Sequence, residues 1–438
     1  MEFLTTLFYF IVTIGILVFV HELGHFLAAK LTGMRVDRFS IGFPPRAFGK
    51  RISDTDYCVS WIPIGGYVKI AGMIDESNDL EFLQREPQPW EFRSKSFAAR
   101  VFVITAGVLM NILLAVGIFW GINYAQGKYL RETTEIGYVI AGSPAAEAGL
   151  KAGDRVLTVN GQTIATWDEI QGLVYFDRVN RAVSLEVESA GVRSEVSLDP
   201  KGLSEITTER LGFYPAHTAA VVGSVESGKP ADQIGLKARD VIVSVAGVLV
   251  VNEHQVIQLV RKNADRPVRI AWKRGENTFE DTVTPTSEGR IGITIGSAYV
   301  GPTRRIEYSL LEALPEGVSD VVRASVLFYR SIVQLITGKV SFAQSFGGPI
   351  KIAQFATRSA EIGFPSFMAF VAILSMSLAF LNILPFPALD GGHLVFLVAE
   401  GILRREISNR VKIAVQQAGF IFLLAFMAFV IYTDIANF

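Results

Sequence analysis

Apolar residues concentrate in four long blocks. The first, residues 3–20, reads FLTTLFYFIVTIGILVFV without a charge and continues through HELGHFLAA to Lys30. The second covers residues 101–124, the third about 364–384 and the fourth about 413–432. A helix needs about 20 predominantly apolar residues to cross a bilayer, and each block supplies them. Four spans would put both termini on one side. A fifth stretch, residues 316–338, places Asp320, Arg323, Arg330 and Gln334 at helical spacing opposite Val322, Val326, Val333 and Ile336. That stripe predicts an amphipathic helix lying on a surface. Spanning would bury Arg330 near the midplane at a cost of about 2.5 to 3.5 kcal/mol.

Between the second and third blocks the pattern shortens and repeats. SPAAEAGLKAGDRVLTVNG from Ser143 matches KPADQIGLKARDVIVSVAG from Lys229, with Pro144 and Pro230, Gly149 and Gly235, Leu150 and Leu236, Asp154 and Asp240, and Gly161 and Gly247 coinciding. Each copy predicts a short helix, a Gly-Leu break, an alternating strand ended at Asn160-Gly161 or Ala246-Gly247, and a second helix at about 168–176 or 253–262. Residues 57–70, YCVSWIPIGGYVKI, are β-rich and interrupted at Pro63 and Gly65-Gly66. They predict a hairpin. SFGGPI, residues 345–350, combines Gly and Pro in apolar surroundings and predicts a loop or a plain helix connector.

Composition agrees with a membrane protein: 50% of the 438 residues are hydrophobic and 19% charged. The 41 basic residues nearly cancel the 42 acidic ones, which gives no reason to expect a nucleic-acid partner. A single cysteine, Cys58, excludes an intrachain disulfide. No basic segment precedes the first apolar block, so it is expected to be retained and not cleaved as a signal peptide. Lys30, Arg35 and Arg38 follow the first span; Arg93, Lys95 and Arg100 precede the second; Arg404, Arg405, Arg410 and Lys412 lie between the third and fourth. By the positive-inside tendency those segments are cytoplasmic, and the termini and the repeat lie outside.

The candidate chemistry sits in the first block. HELGH puts His21 and His25 four residues apart, on one helix face, with Glu22 beside a metal they would share. Ionisable groups in a membrane helix are expensive and usually mark a functional site. The competing reading is a polar cluster at the helix end. A catalytic zinc takes three protein ligands and keeps one position open. The third block ends NILPFPALDGGH, where Pro385 and Pro387 break the helix and Asp390 follows the apolar run. Irregular backbone at membrane depth is tolerated where it lines a cavity, so Asp390 is the expected third ligand.

HExxH in the first span, NxxPxPxLDGG in the third and a duplicated insert between spans two and three resemble the site-2 protease family over the whole chain. The insert itself resembles tandem PDZ domains. The resemblance implies a multi-span α-helical membrane protein with four transmembrane helices and two tandem PDZ-like α/β domains between spans two and three. Its parts would be spans at 1–30, 101–125, 363–392 and 413–438, a cytoplasmic segment 31–100 with a membrane-associated hairpin, and PDZ-like domains at 126–220 and 221–308. An amphipathic helix with a connector at 309–362 and a cytoplasmic loop at 393–412 complete it. It further implies Zn²⁺ held by His21, His25 and Asp390, Glu22 as the catalytic base, and Asn382 as oxyanion support or an interhelical hydrogen bond. His393 is expected beside the site as a loop histidine, not as a ligand.

Substrates would be single-span membrane proteins such as an anti-sigma factor, or signal-peptide remnants, in a bacterial inner membrane. An extended substrate would pair with the hairpin edge at Tyr67, Val68 and Lys69 and contact Pro385; an ordinary cytoplasmic hairpin is the alternative. The PDZ-like pair would bind peptides or serve as spacers. A catalytically silent membrane scaffold leaves HELGH and LDGG unexplained. A zinc-responsive transporter fits poorly with four spans lacking a repeated membrane half.

Overall fold

The structure, a computed structural model, describes residues 2–73, 85–176, 182–199, 208–337 and 348–436. The chain forms two compact units: residues 1–127 with 307–438, and an insert of residues 128–306.

Helix α1, Glu2–Leu31, carries HELGH near its C-terminal end. Strands β1, Val36–Ile52, and β2, Thr55–Ile70, follow as an antiparallel pair, and then helix α2, Phe97–Gln126. Helix α2 begins four residues before the apolar block because Ser96 caps it, accepting the Ala99 N–H. The expectation of a hairpin within residues 57–70 is corrected in its pairing. The segment reverses between residues 59 and 66, as expected, but its two arms do not pair with each other: they lie on either side of residues 38–41, after an earlier reversal at Ser53-Asp54, where Ser53 has φ 54°. Gly65, at φ +100°, lies in the later reversal. Residues 38–41 pair on both sides, with 56–59 and with 66–69, so the 66–69 stretch forms an edge. The inner face packs Val36, Phe39, Val68 and Ile70 against Ala28 and Ala29 of α1 and Val103 and Ile104 of α2.

The insert realises the duplication. After β3, Lys128–Arg131, the first copy runs β4 Ile136–Val139, α3 Pro144–Glu147, β5 Arg155–Val159, β6 Gln162–Thr163, α4 Trp167–Phe176, β7 Val183–Ser189, β8 Val192–Leu198, α5 Thr208–Leu211 and β9 Phe213–Pro215. The second runs β10 Thr218–Val225, α6 Pro230–Gln233, β11 Val241–Val245, β12 Val248–Leu249, α7 Glu253–Lys262, β13 Val268–Arg274, β14 Asn277–Val283 and β15 Ile293–Tyr299. Strand order is β6-β5-β7-β8 in one copy and β14-β13-β11-β10-β15 in the other. The predicted turns hold: Asn160-Gly161 and Ala246-Gly247 all have positive φ, the geometry of two-residue hairpins. Each copy has its own core, around Trp167 and Phe213 or around Trp272 and Ile270. Strand β16, Thr303–Ile306, pairs with β3, so the insert is closed where the chain enters and leaves it.

Five helices complete the first unit: α8 Leu310–Ile336, α9 Pro349–Ile362, α10 Phe364–Ile383, α11 Asp390–Leu403 and α12 Asn409–Ala436. Helix α8 opens with a capping box between Ser309 and Glu312. Its packed stripe is Ala313, Gly317 and Val321, small enough to approach α2, whereas Val322, Val333 and Ile336 of the predicted stripe are exposed. Of the SFGGPI run, residues 345–347 lie outside the described residues, and Gly348 caps α9. The expected loop at 393–412 is also corrected. Most of it is α11, an apolar helix that starts directly at Asp390. Among the described residues, α1, α2, α10 and α12 are long and apolar enough to cross a membrane.

Candidate active site

Four residues of helical spacing bring His21 and His25 onto one face of α1, their rings 4.8 Å apart. That face meets α2 at Gly107. A Cβ there would overlap His25 Nε2 and His21 Cε1, so only glycine lets α2 pack flush against both imidazoles. Helix α2 also fixes the rings from behind. His25 Nδ1 donates to the Val103 carbonyl at 2.8 Å, and His21 Nδ1 lies 3.2 Å from the Asn111 amide. The atom facing it is Asn111 Nδ2, while Oδ1 is buried without a partner; a neutral imidazole that binds metal through Nε2 donates from Nδ1, so turning this amide over would satisfy both groups. Ser375 Oγ donates to the backbone carbonyl of Asn111. Val103 and Asn111 were not foreseen, because a carbonyl has no sequence signal and a lone Asn in an apolar helix has no diagnostic spacing.

Asp390 arrives from the other end of the chain. Helix α10 stops at Ile383, Pro385 and Pro387 hold residues 384–389 out of helix, and α11 begins with Asp390 in its first turn. A carboxylate is favoured there by the helix dipole. The loop folds tightly onto the new helix, since a Cβ at Gly391 would strike the Leu384 and Ile383 carbonyls. Asn382, in the last turn of α10, places its amide 3.2 Å from His21 Nε2.

The three predicted donors converge. His21 Nε2 and His25 Nε2 are 3.2 Å apart, and Asp390 Oδ2 lies 3.3 and 3.4 Å from them. Edges of about 3.3 Å are those of a tetrahedron with ligands at about 2.0 Å from its centre, the geometry of zinc with N and O donors. Asp390 Oδ2 is buried without a hydrogen-bond partner, which a cation would supply. This donor set fits Zn²⁺, and the triangle leaves the fourth vertex for water.

A cavity of about 230 Å³ adjoins the triangle, lined by Glu22, Gly66, Val68, Asn382 and His393 among others. Glu22 faces the β2 edge across it, its Cγ close to Gly66. Strand alternation sends Val68 into the cavity and Tyr67 and Lys69 to the opposite face. Tyr67 is buried there, stacked on Phe43, and accepts from Arg38 at 3.0 Å. Arg38 and Arg46 both hold Asp56; the Arg46 hydrogen bond is the main reason the Asp56 carboxyl sits below its ordinary pKa, against the effect of burial. Pro385 is exposed and does not line the cavity. His393 does, but its ring contacts Gln416 and it stands outside the metal triangle.

Known proteins are similar to the chain over nearly its whole length. The regulator of sigma E protease of Haemophilus influenzae is 33% identical over 453 residues, 99% of each chain. The regulator of sigma-E protease RseP of Escherichia coli is 31% identical over 460 residues, 100% of each. A relative from Pasteurella multocida, whose name assigns it provisionally to the zinc metalloproteases, is 34% identical over 452 residues, 99% of each. Among solved structures, a PDZ domain of an SdrC-like protein from Listeria monocytogenes is 25% identical and covers 18% of this chain and 86% of its own, with a TM-score of 0.16. The model of peptidase family M50 matches residues 9–426. With that match spanning nearly the whole chain, the protein belongs to peptidase family M50, the site-2 zinc metalloproteases.

Proposed function

We propose that the chain is an intramembrane zinc endopeptidase that cuts peptide bonds within or beside the transmembrane segments of single-span membrane proteins. The observation that carries this reading is the triangle of His21, His25 and Asp390 donors between helices apolar enough to span a bilayer. When bound, zinc lowers the pKa of a water and polarises the scissile carbonyl. Glu22 is the base: its carboxylate takes the proton of the attacking water and returns it to the leaving amine nitrogen. Asn382 donates from its amide to the developing oxyanion, a contribution worth about 2.7 to 4 kcal/mol where such donors have been removed.

A helical substrate hides its peptide bonds, so it must be unwound before Glu22 can act. The backbone of Tyr67, Val68 and Lys69, at the edge of the β1-β2 pair, supplies strand partners for the unwound segment. Val68 contacts its side chains, and exposed Pro385 meets it farther along. The two copies in the insert are tandem PDZ-like domains that take peptide ligands or restrict access.

The chain is a four-span protein of the bacterial inner membrane, with termini and insert in the periplasm and the cavity toward the cytoplasmic end of α1. Positive residues beside the spans support this sidedness. The names of two relatives support a role in regulating sigma E; we place that role in envelope stress signalling and take an anti-sigma factor or signal-peptide remnants as the substrates.

Replacing Glu22 by Gln and measuring zinc content and cleavage of a model transmembrane substrate tests the reading. Lost cleavage with zinc retained is the expected result. Cleavage at the parent rate would remove Glu22 as the base, and a parent chain that cuts no transmembrane substrate would remove the function.

A further inference from the structure

A second cavity, of about 180 Å³, adjoins the first, and the two share Met73 and His393 in their walls. It is lined by charged side chains, and these are not equally satisfied. Lys412 pairs with buried Glu400, which also accepts the Ile407 N–H. Arg93 pairs with buried Glu91 at 2.6 Å. Glu406 is exposed. Arg100 is different: its Nε is buried, and among the described residues no acceptor reaches it. It also stands in the first turn of α2, where the helix dipole disfavours a cation. A guanidinium kept at an unfavourable helix position, desolvated at Nε and facing a cavity is a site for a planar anion.

We propose that Arg100 binds the newly formed C-terminal carboxylate of the product peptide as it leaves the catalytic cavity past Met73 and His393. The inference rests on the protease reading given above. Hydrolysis creates one carboxylate per turnover, and a substrate whose N-terminus is cytoplasmic releases its carboxylate-bearing fragment on the side where Arg100 lies. No other cation lining this cavity lacks a carboxylate partner among the described residues.

The test compares inhibition of transmembrane-substrate cleavage by acetyl-Ala-Leu-Leu with a free carboxylate and by its C-terminal amide, in the parent protein and in Arg100→Gln and Arg100→Lys. The metal site is common to all three, so its own preference for the acid cancels. The expected result is that the acid-over-amide preference falls about ten-fold in Arg100→Gln, the order expected for a charge-assisted hydrogen bond. Arg100→Lys recovers part of it, and zinc content and amide inhibition stay unchanged. An equal preference in the parent and Arg100→Gln overturns the proposal, as does loss in Arg100→Gln of phosphatidylglycerol binding alone, which would make Arg100 a headgroup ligand. A parent protein that cleaves nothing would instead refute the protease reading.

Discussion

The Asn111 amide stands 3.2 Å from His21 Nδ1, on the side of the imidazole away from Asp390, whose Oδ2 is 3.3 Å from Nε2. Partners of this kind fix the tautomer and orientation of a metal-binding histidine, and their loss typically costs 10- to 100-fold in affinity, to order of magnitude. Asn111→Leu is therefore expected to weaken zinc binding by about ten-fold or more while leaving the helices assembled. Competition with a chromophoric chelator measures it, and parent-like affinity would show that His21 keeps its orientation without the Asn111 side chain.

Gly107→Ala sets two effects against each other. Alanine is the better helix former by about 1 kcal/mol, but its Cβ would overlap both imidazoles. Packing is expected to win, with loss of bound zinc and of cleavage. Metal analysis of the purified variant decides; a fully zinc-loaded Gly107→Ala protein would mean that α1 and α2 separate more easily than their contact suggests.

Gly66→Val separates substrate presentation from metal binding. A side chain at 66 meets the Ser40 carbonyl, Val18 and Glu22, none of which belongs to the metal triangle. Zinc content should hold while cleavage falls about ten-fold or more, since small misplacements of a reacting group are costly. Unaltered turnover would argue against the β2 edge as the place where substrate lies.

Removing the metal makes a simpler prediction. Dialysis against 1,10-phenanthroline should abolish cleavage, and added Zn²⁺ should restore it. Cleavage that survives removal of the metal would contradict a catalytic zinc site.

The sheet carries its own pH dependence. Hydrogen bonding to Arg46, then the charges of Arg46 and Arg38, hold Asp56 below its ordinary pKa. A carboxyl with a depressed folded pKa contributes stability above the unfolded value, about 3.9, and loses it as pH falls through the folded one. Thermal unfolding should show Asp56→Asn less stable than the parent at pH 7, with the gap narrowing below pH about 4. A gap that stays constant into acid would indicate packing and not charge.

The convergence of His21, His25 and Asp390 was readable because its signals are matters of spacing. His21, Glu22 and His25 announce themselves at four-residue periodicity, and Asp390 and Asn382 flank a proline-broken helix end. The duplicated insert was readable because Asn160-Gly161 and Ala246-Gly247 both form the turn their residues suggest. The reversal at Gly65-Gly66 was readable, but the strand between its arms was not, because residues 36–52 include Pro44-Pro45 and several charges and show no clean alternation. Helix α11 was missed because the DGG that opens it looks like a loop, although the close contact of Gly391 with the Leu384 carbonyl is what permits the helix to start there.

His21 and Asn382 meet at 3.2 Å although 361 positions separate them in the chain. The metal triangle therefore closes only after both copies of the insert and the third apolar block have been synthesised. A ribosome-bound or prematurely terminated chain carries HELGH in the bilayer without the carboxylate that completes it. Translation order thus acts as a safeguard, since an unfinished molecule has no working active site with which to damage its neighbours in the membrane.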